Sequence, residues 1–185
     1  MKALITTAVL VLSPMIAQAQ SRSITPNTVA NPGLDKRAEY WQVTPKATID
    51  SSSVTLEGPD SYIQQLAVIL PHTPLQTSAV VSLSSTLDGK ADCPTATFIV
   101  GTWEQGGGQR VIYKVKTENP KYEKNSAGKI LSTTCSAPKK KYDVLTLNNQ
   151  PAPAIRQVYV QKSSGSADVK VHSISLQLLD IPFPI

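Results

Sequence analysis

The stretch that decides the fold runs from Ser61 to Leu83 and reads SYIQQLAVILPHTPLQTSAVVSL. It contains two short apolar runs, Leu66–Leu70 and Ala79–Leu83, which the sequence Pro-His-Thr-Pro at 71–74 separates. Proline lacks the backbone N–H that a helix interior needs, so the two runs cannot join into one helix. Their Val, Ile and Leu content instead predicts two strands joined by a polar turn.

The rest of the chain repeats this style of short β-favouring runs between Gly, Pro, Ser, Asn and Asp. No stretch of about ten residues has helical periodicity. In the last run, Val169–Leu179, the apolar phase breaks at His172-Ser173, which predicts either a bulge or a switch between sheets at that point. We therefore predict an all-β protein of about eight to ten strands, folded as a β-sandwich of the jelly-roll type.

The glycines at 106–108 predict a hairpin between Thr97–Trp103 and the alternating residues that follow the glycines. Other strands are predicted over 41–43, 48–50, 54–56, 130–134, 142–147 and 155–161. The polar segment Glu118–Ala127 is predicted to be a loop, and it would be the longest connection of the domain.

The beginning of the chain has the features of a secretory signal peptide. Lys2 precedes the apolar stretch Ala3–Leu12, and Ala17-Gln18-Ala19 forms an A-x-A cleavage pattern. The sequence predicts cleavage of residues 1–19, a flexible lead-in over 20–30 and one β-sandwich domain over 31–185. No segment approaches the roughly 20 apolar residues of a membrane-spanning helix. We expect an exported protein, in the periplasm, at the cell surface or in the extracellular space.

The two cysteines, Cys93 and Cys135, predict one disulfide, because an exported chain meets oxidising conditions. The bond would close a loop of about 43 residues and stabilise the fold by roughly 4 kcal/mol. A zinc site would need more ligands than two cysteines and two distant histidines provide.

The chain carries a formal net charge of +5, and its densest basic cluster is Lys139-Lys140-Lys141. A solvated surface accounts for such a cluster, and attraction to an acidic polysaccharide is the functional alternative. Nucleic acid is not expected as a partner, because the protein is exported and no basic helix is visible.

Aromatic rings that stack on sugars, and polar groups that pair with hydroxyls, concentrate between Trp103 and Tyr142. The glycine tip should bring Trp103 and Tyr113 near each other, although either ring could instead belong to the core. Trp41 is predicted to be a core residue. The candidate ligand-binding residues are Trp103, Gln105, Arg110, Tyr113, Tyr122, Lys139, Lys140, Lys141 and Tyr142.

Catalysis would need placed acids, bases or nucleophiles, and the sequence offers few. Its two histidines are His72, in a predicted turn, and His172, at the phase break of the last run. Glu57 and Asp60 lie in a turn, where carboxylates usually satisfy backbone amides. No catalytic residue is therefore predicted, and we do not expect an enzyme.

Five motifs, taken in order, resemble the galactose-binding-domain-like jelly rolls that include many carbohydrate-binding modules. They are a turn and tryptophan, a Val-x-Leu strand, a glutamine, a second turn and a final strand. In this chain they correspond to Asn31-Pro32-Gly33-Leu34-Asp35 with Trp41, Val54-Thr55-Leu56, Gln65, Pro71–Ser78 and Val169–Leu176. Leu75, His72 and His172 depart from the residues usual in that family.

The resemblance implies carbohydrate binding, and it also implies a structural calcium ion near the first and last strands. Asp35, Glu57 and Asp180 would supply oxygen ligands for that ion. The first interpretation is thus an exported, non-catalytic carbohydrate-binding or adhesive module. An alternative is an assembly subunit of an envelope, filament or matrix, whose apolar end Ile181–Ile185 would dock on a neighbour. A polysaccharide-active enzyme is the third.

Overall fold

The computed structural model describes residues 29–103, 108–148 and 152–179. It is an all-β sandwich of two antiparallel sheets, as predicted, with one short helical turn, α1 (Asp35–Ala38). The eleven strands are β1 (Gln42–Val43), β2 (Ala47–Ile49), β3 (Val54–Leu56), β4 (Tyr62–Ile69), β5 (Thr73–Asp88), β6 (Thr95–Trp103), β7 (Arg110–Lys116), β8 (Glu118–Lys124), β9 (Ile130–Asn148), β10 (Ala154–Gly165) and β11 (Asp168–Leu178).

The chain passes repeatedly between the two sheets, as a jelly roll does. One sheet has five strands in the order β1-β4-β10-β6-β7, and the other has six in the order β2-β3-β11-β5-β9-β8. Strands alternate their side chains between two faces, so one phase of each strand meets the other sheet in the core. The largest fully buried apolar side chains include Phe98, Leu56, Ile63, Ile69, Leu75 and Ile174.

The stretch that predicted the fold forms β4 and most of β5, which lie in different sheets. The turn between them is shorter than expected, because β5 begins at Thr73 and includes Pro74. A proline is tolerated near the first residue of a strand. His72 lies in this turn with a positive φ of 48° and is exposed, in agreement with its prediction as a solvated turn residue.

The predicted loop over Glu118–Ala127 is wrong, because residues 118–124 form strand β8. All seven residues of this strand are exposed, and it pairs with β9 at the edge of its sheet. An edge strand of this kind needs backbone partners but no buried face, so it shows no apolar alternation. Its lysines and Pro120 are typical of edges that resist further pairing.

The two short strands predicted over 130–134 and 142–147 are one continuous strand, β9. Its pairing with β5 is irregular between Val81 and Leu83, where the partners change from Lys140 to Ala137. The predicted bulge in β11 is confirmed, because the register shifts between Val171 and Ser173. Both irregularities keep the apolar phase of a long strand on the core side.

The disulfide between Cys93 and Cys135 is confirmed, with the two Cα atoms 5.6 Å apart. It ties the segment before β6 to the first third of β9, and so joins the two sheets. Trp41 is 8% exposed and belongs to the core, as predicted. Val29 also packs there, so the end of the predicted lead-in is held by the domain. The predicted signal peptide, residues 1–19, lies outside the described residues.

Across the described ranges, the structure contains no helix with the length and apolar content that membrane crossing requires.

Candidate functional site

The candidate ligand-binding residues do not form one surface. Trp103 ends β6 and Arg110 begins β7, and both line the same cleft on the five-stranded sheet. Gln105 lies outside the described residues. Tyr122 and the three lysines 139–141 belong to β8 and β9 of the other sheet. The two halves of the predicted surface therefore lie on different sheets.

Tyr113 and Tyr142 pack with Phe98 in an aromatic cluster rather than lining that cleft. The ring centroids of the two tyrosines are 4.7 Å apart, and those of Phe98 and Tyr142 are 5.0 Å apart. The Tyr113 hydroxyl donates a hydrogen bond of 2.7 Å to the Asp143 carbonyl. Burial raises the pKa of both tyrosines, and the negative charge of Asp143 raises that of Tyr113 further. Tyr113 and Tyr142 are therefore packing residues of the sandwich.

The basic cluster lies on the six-stranded sheet, and two of its members are engaged. Lys140 Nζ lies 5.8 Å from the centroid of the Tyr142 ring. Lys141 Nζ lies 3.3 Å from Asp143 Oδ1, but both side chains are largely exposed, which weakens such a pair. Lys139 lies at the irregular part of β9, near the ring of His172.

A depression on the five-stranded sheet, here called the outer cleft, has a volume of about 400 Å³. Its floor comes from the side chains that face away from the core. On β10 the residues between Arg156 and Lys162 alternate, so that Val158 and Val160 are buried in the core and Tyr159 faces outward. The residues lining the outer cleft are Tyr62, Gln64, Trp103, Arg110, Gln157, Tyr159 and Gln161.

The strand register places these side chains in rows across the sheet. One row crosses all five strands and contains Gln42, Gln64, Tyr159, Gly101 and Arg110. With neighbouring strands about 4.8 Å apart, such a row is about 19 Å long. A row of that length offers contacts to an extended ligand lying across the strands.

Two further register pairs, one on each side of this row, bring more aromatic rings and amides into the outer cleft. Trp103 pairs with Gln157, and Tyr62 pairs with Gln161. Trp103 remains 44% exposed, whereas Tyr159 in the middle row is 8% exposed. The centre of the floor is therefore rigidly packed, and one large ring stands free at its end.

Hydrogen bonds orient two of the amides of the outer cleft. The Gln64 side chain donates a 2.7 Å hydrogen bond to Gln42 Oε1, and Gln161 donates one of 3.4 Å to Asp60 Oδ1. An amide presents both donors and acceptors, which matches a hydroxyl group. Aromatic faces, amides and one guanidinium are what a polar ligand with apolar ring faces requires.

The sequence interpretation missed Tyr62, Gln64, Gln157, Tyr159 and Gln161. A signal was present, because Gln157, Tyr159 and Gln161 share one phase of a strand whose other phase is apolar. Alternation alone does not reveal which strands are neighbours. The order β4-β10-β6 is what brings these residues beside Trp103.

Asp35 and Glu57 are the two expected calcium ligands that the structure describes. Among the described residues, no three His, Cys, Asp or Glu side chains lie close enough together to hold a metal. Glu57 accepts a hydrogen bond from Thr48, Asp35 begins α1, and Asp180 lies outside the described ranges.

Side-chain amides donate hydrogen bonds to the carbonyl oxygens near α1. Gln65 donates to the Tyr40 carbonyl at 2.9 Å and to the Ala30 carbonyl at 3.4 Å. Asn31 donates to the carbonyls of Asp35 and Glu39. Gln65, in β4, thereby connects the residues on both sides of α1.

His172 is packed against Ser82, whose Oγ lies 2.8 Å from Nε2 of the ring. Burial lowers the pKa of His172, and the charges of Lys139 and Lys170 lower it further. In the described part of the chain, no carboxylate contacts this ring. The pair therefore lacks the acidic residue that would orient a histidine for nucleophilic catalysis.

No protein-family model and no curated protein matches the sequence. Solved structures similar to the chain include carbohydrate-binding modules and sugar-binding domains, the group of folds that the sequence motifs resemble. TmCBM61, solved with β-1,4-galactotriose, is 9% identical, and the match covers 84% of this chain and 100% of that one, with a TM-score of 0.46. The CBM22-1 xylan-binding domain of Xyn10C from Paenibacillus barcinonensis is 9% identical, with 83% and 94% covered and a TM-score of 0.41.

A third similar structure is the enzymatically active domain of tailspike protein 4 from bacteriophage CBA120. It is 14% identical over 83% of this chain, with a TM-score of 0.46, and the match covers 21% of the phage chain. This chain thus spans about a fifth of that relative. At these identities the likenesses concern the fold alone, and the ligands in the names belong to those proteins.

Proposed function

We propose that this protein is an exported glycan-binding module without catalytic activity, and that the outer cleft holds the saccharide. The observation that carries the proposal is the composition of the cleft: three aromatic rings and three glutamines on one exposed face of a rigid sheet. Sugars have apolar ring faces that stack on aromatic side chains, and hydroxyls that exchange hydrogen bonds with amides. The disulfide supports export, because such bonds persist in oxidising compartments.

The absence of catalysis is part of this proposal. Glutamine and tryptophan bind and position ligands but do not act as general bases, and a tyrosine with an ordinary pKa of about 10 is protonated near neutral pH. None of the residues that line the outer cleft in the described ranges is an acid, a histidine or a cysteine. A ligand would therefore be held and released unchanged.

A glycan array followed by isothermal titration with the best ligand tests the proposal. Trp103→Ala should weaken binding by about tenfold or more, because the ring is exposed and stands at the edge of the cleft. Tyr122→Ala is the matched control, since Tyr122 is 43% exposed but belongs to the six-stranded sheet. Binding to no glycan, or equal losses in the two variants, would contradict the proposed function.

An assembly subunit is the second candidate, and one observation favours it. Leu66 and Ile155 are 57% and 67% exposed on the same outward face, just beyond the outer cleft. Exposed apolar side chains on a sheet can mark a contact surface. Analytical ultracentrifugation separates the two functions: Leu66→Ser with Ile155→Ser should dissociate an assembly but leave the affinity of a monomeric module for glycan unchanged.

A further inference from the structure

Arg110 lies at one end of the outer cleft, and none of the described residues provides it with a counter-ion. It is exposed, it is the first residue of β7, and it lies in the row that crosses the whole sheet. The structure gives its guanidinium no hydrogen bond or salt bridge within the described residues. A free guanidinium in a polar cleft is suited to bidentate pairing with a carboxylate or a sulfate.

Gly101 brings Arg110 and Tyr159 into one row of the sheet with no side chain between them. Glycine is required here by the close approach of the neighbouring strand: a Cβ atom on residue 101 would lie 2.4 Å from the Gln109 carbonyl oxygen. The buried glycine thus seats the start of β7 directly against β6, and Arg110 lines the outer cleft together with Tyr159.

The charges near Arg110 favour an anion. Lys114 and Lys116 follow Arg110 in the same phase of β7, and both are exposed. Among the described residues, no carboxylate lines the outer cleft, and the one that contacts a lining residue is Asp60, through Gln161. Like charges along one strand raise the local potential and attract anionic chains.

We infer that the ligand is an acidic glycan, whose anionic substituent binds to Arg110 while a sugar ring lies in the outer cleft beside Tyr159. This inference rests on the proposed function and adds the class of saccharide to it. Both a uronate carboxylate and a sulfate ester fit the chemistry of the guanidinium.

Matched polysaccharides test the inference directly. Binding of polygalacturonate is compared with binding of its methyl ester, and binding of dextran sulfate with that of dextran, so that the polymer backbone stays constant within each pair. We expect the protein to bind the anionic member of at least one pair at least tenfold more tightly. The pair that responds distinguishes a carboxylate ligand from a sulfate ligand.

Variants of Arg110 show whether this preference comes from the proposed contact. Arg110→Gln should reduce affinity for the anionic polymer by about tenfold or more, which is the scale of a charge-assisted hydrogen bond. Arg110→Lys should retain part of it, because an ammonium cannot bind bidentately. Lys139→Gln removes the same charge from the six-stranded sheet and should change affinity by less than about twofold at moderate salt.

The failures of the two proposals are distinguishable. Equal affinity for neutral and anionic members, with binding that Trp103→Ala abolishes, would overturn the acidic ligand and leave the glycan-binding function intact. Equal losses in Arg110→Gln and Lys139→Gln would overturn the Arg110 contact, because the attraction would then be a property of the whole surface. Binding to neither neutral nor anionic polymers would count against the proposed function itself.

Discussion

Ser82 Oγ lies 2.8 Å from His172 Nε2, at the place where two strands depart from regular pairing. His172 is the extra residue of the β11 bulge, and Ser82 is passed over in the pairing of β5 with β9. Lys170, the register partner of Ser82, holds Asp50 at 2.7 Å. His172 thus lies in a locally irregular part of the six-stranded sheet, with Lys139 and Lys170 nearby.

The first prediction concerns the stability of this site against pH. Burial, together with Lys139 and Lys170, lowers the pKa of His172 in the folded protein. The unfolded chain therefore takes up the proton first as the pH falls, so the free energy of unfolding decreases below a pH of about 6.5. The decrease ends once the pH passes the lowered folded pKa, and above about 6.5 the histidine has no effect.

Denaturant unfolding between pH 8 and 5 measures this dependence. His172→Gln should remove part of the acid-side slope of the parent protein. A slope that is identical in the parent and in His172→Gln would contradict the prediction.

The second prediction concerns the disulfide. Cys135 is fully buried, and its bond to Cys93 joins distant parts of the chain. Because the bond restricts the unfolded chain, losing it enlarges the entropy of the unfolded state. Cys93→Ala with Cys135→Ala should lower stability by about 4 kcal/mol, or roughly 8–16 °C in melting temperature. Calorimetry with and without reductant checks this: the reductant should shift the parent protein and leave the double variant unchanged. A reductant-insensitive parent would show that the bond contributes little.

The third prediction concerns calcium. The amides of Asn31 and Gln65 already bond to the carbonyl oxygens around α1, so we expect EDTA to leave the melting temperature unchanged. Gln65→Ala should lower stability by about 1 kcal/mol, because the Tyr40 and Ala30 carbonyls lose their donor. Gln177→Ala, an exposed glutamine on β11, is the matched control. A drop in melting temperature with EDTA that calcium restores would instead establish a metal site that includes residues beyond the described ones.

The all-β fold, the bulge in β11 and the disulfide could be predicted because each depends on local pattern or on chemistry. Alternating Val and Ile residues define the core face of β10 and β11, and the phase break at His172 requires an extra residue. Strand β8 could not be predicted in the same way. It has no buried side chain, and its stability comes from backbone pairing with β9 and not from its own sequence.

Only part of the candidate site could be predicted, because local patterns do not show which distant strands are neighbours. Trp103 and Arg110 flank a hairpin, so their proximity follows from a local turn. Tyr113 also flanks that turn, but it lies in the phase of β7 that turns toward the core, where it meets Phe98 across the pair. Tyr159 reaches the same cleft only because β10 lies between β4 and β6, and the pairing of strands so distant in sequence is not encoded in any local pattern.

The last prediction joins the fold to the site through Gly101. A Cβ atom at this position would lie 2.7 Å from the Arg110 Cα and 2.4 Å from the Gln109 carbonyl oxygen, and both atoms are backbone. Gly101→Ala should therefore push the start of β7 away from β6, which costs stability and displaces Arg110 from the row that contains Tyr159. We expect a destabilisation of about 1–3 kcal/mol, as for other overpacked sites. We also expect a loss of preference for anionic over neutral polymer in a variant that still folds.

Gly58→Ala is the matched control, because its Cβ would meet the Lys46 side chain at an ordinary 3.4 Å. Thermal unfolding and paired titrations with the two polymers measure both effects. Gly101→Ala could instead keep the stability and the anionic preference of the parent protein. That result would show that the close approach of β6 and β7 is not what positions the Arg110 guanidinium.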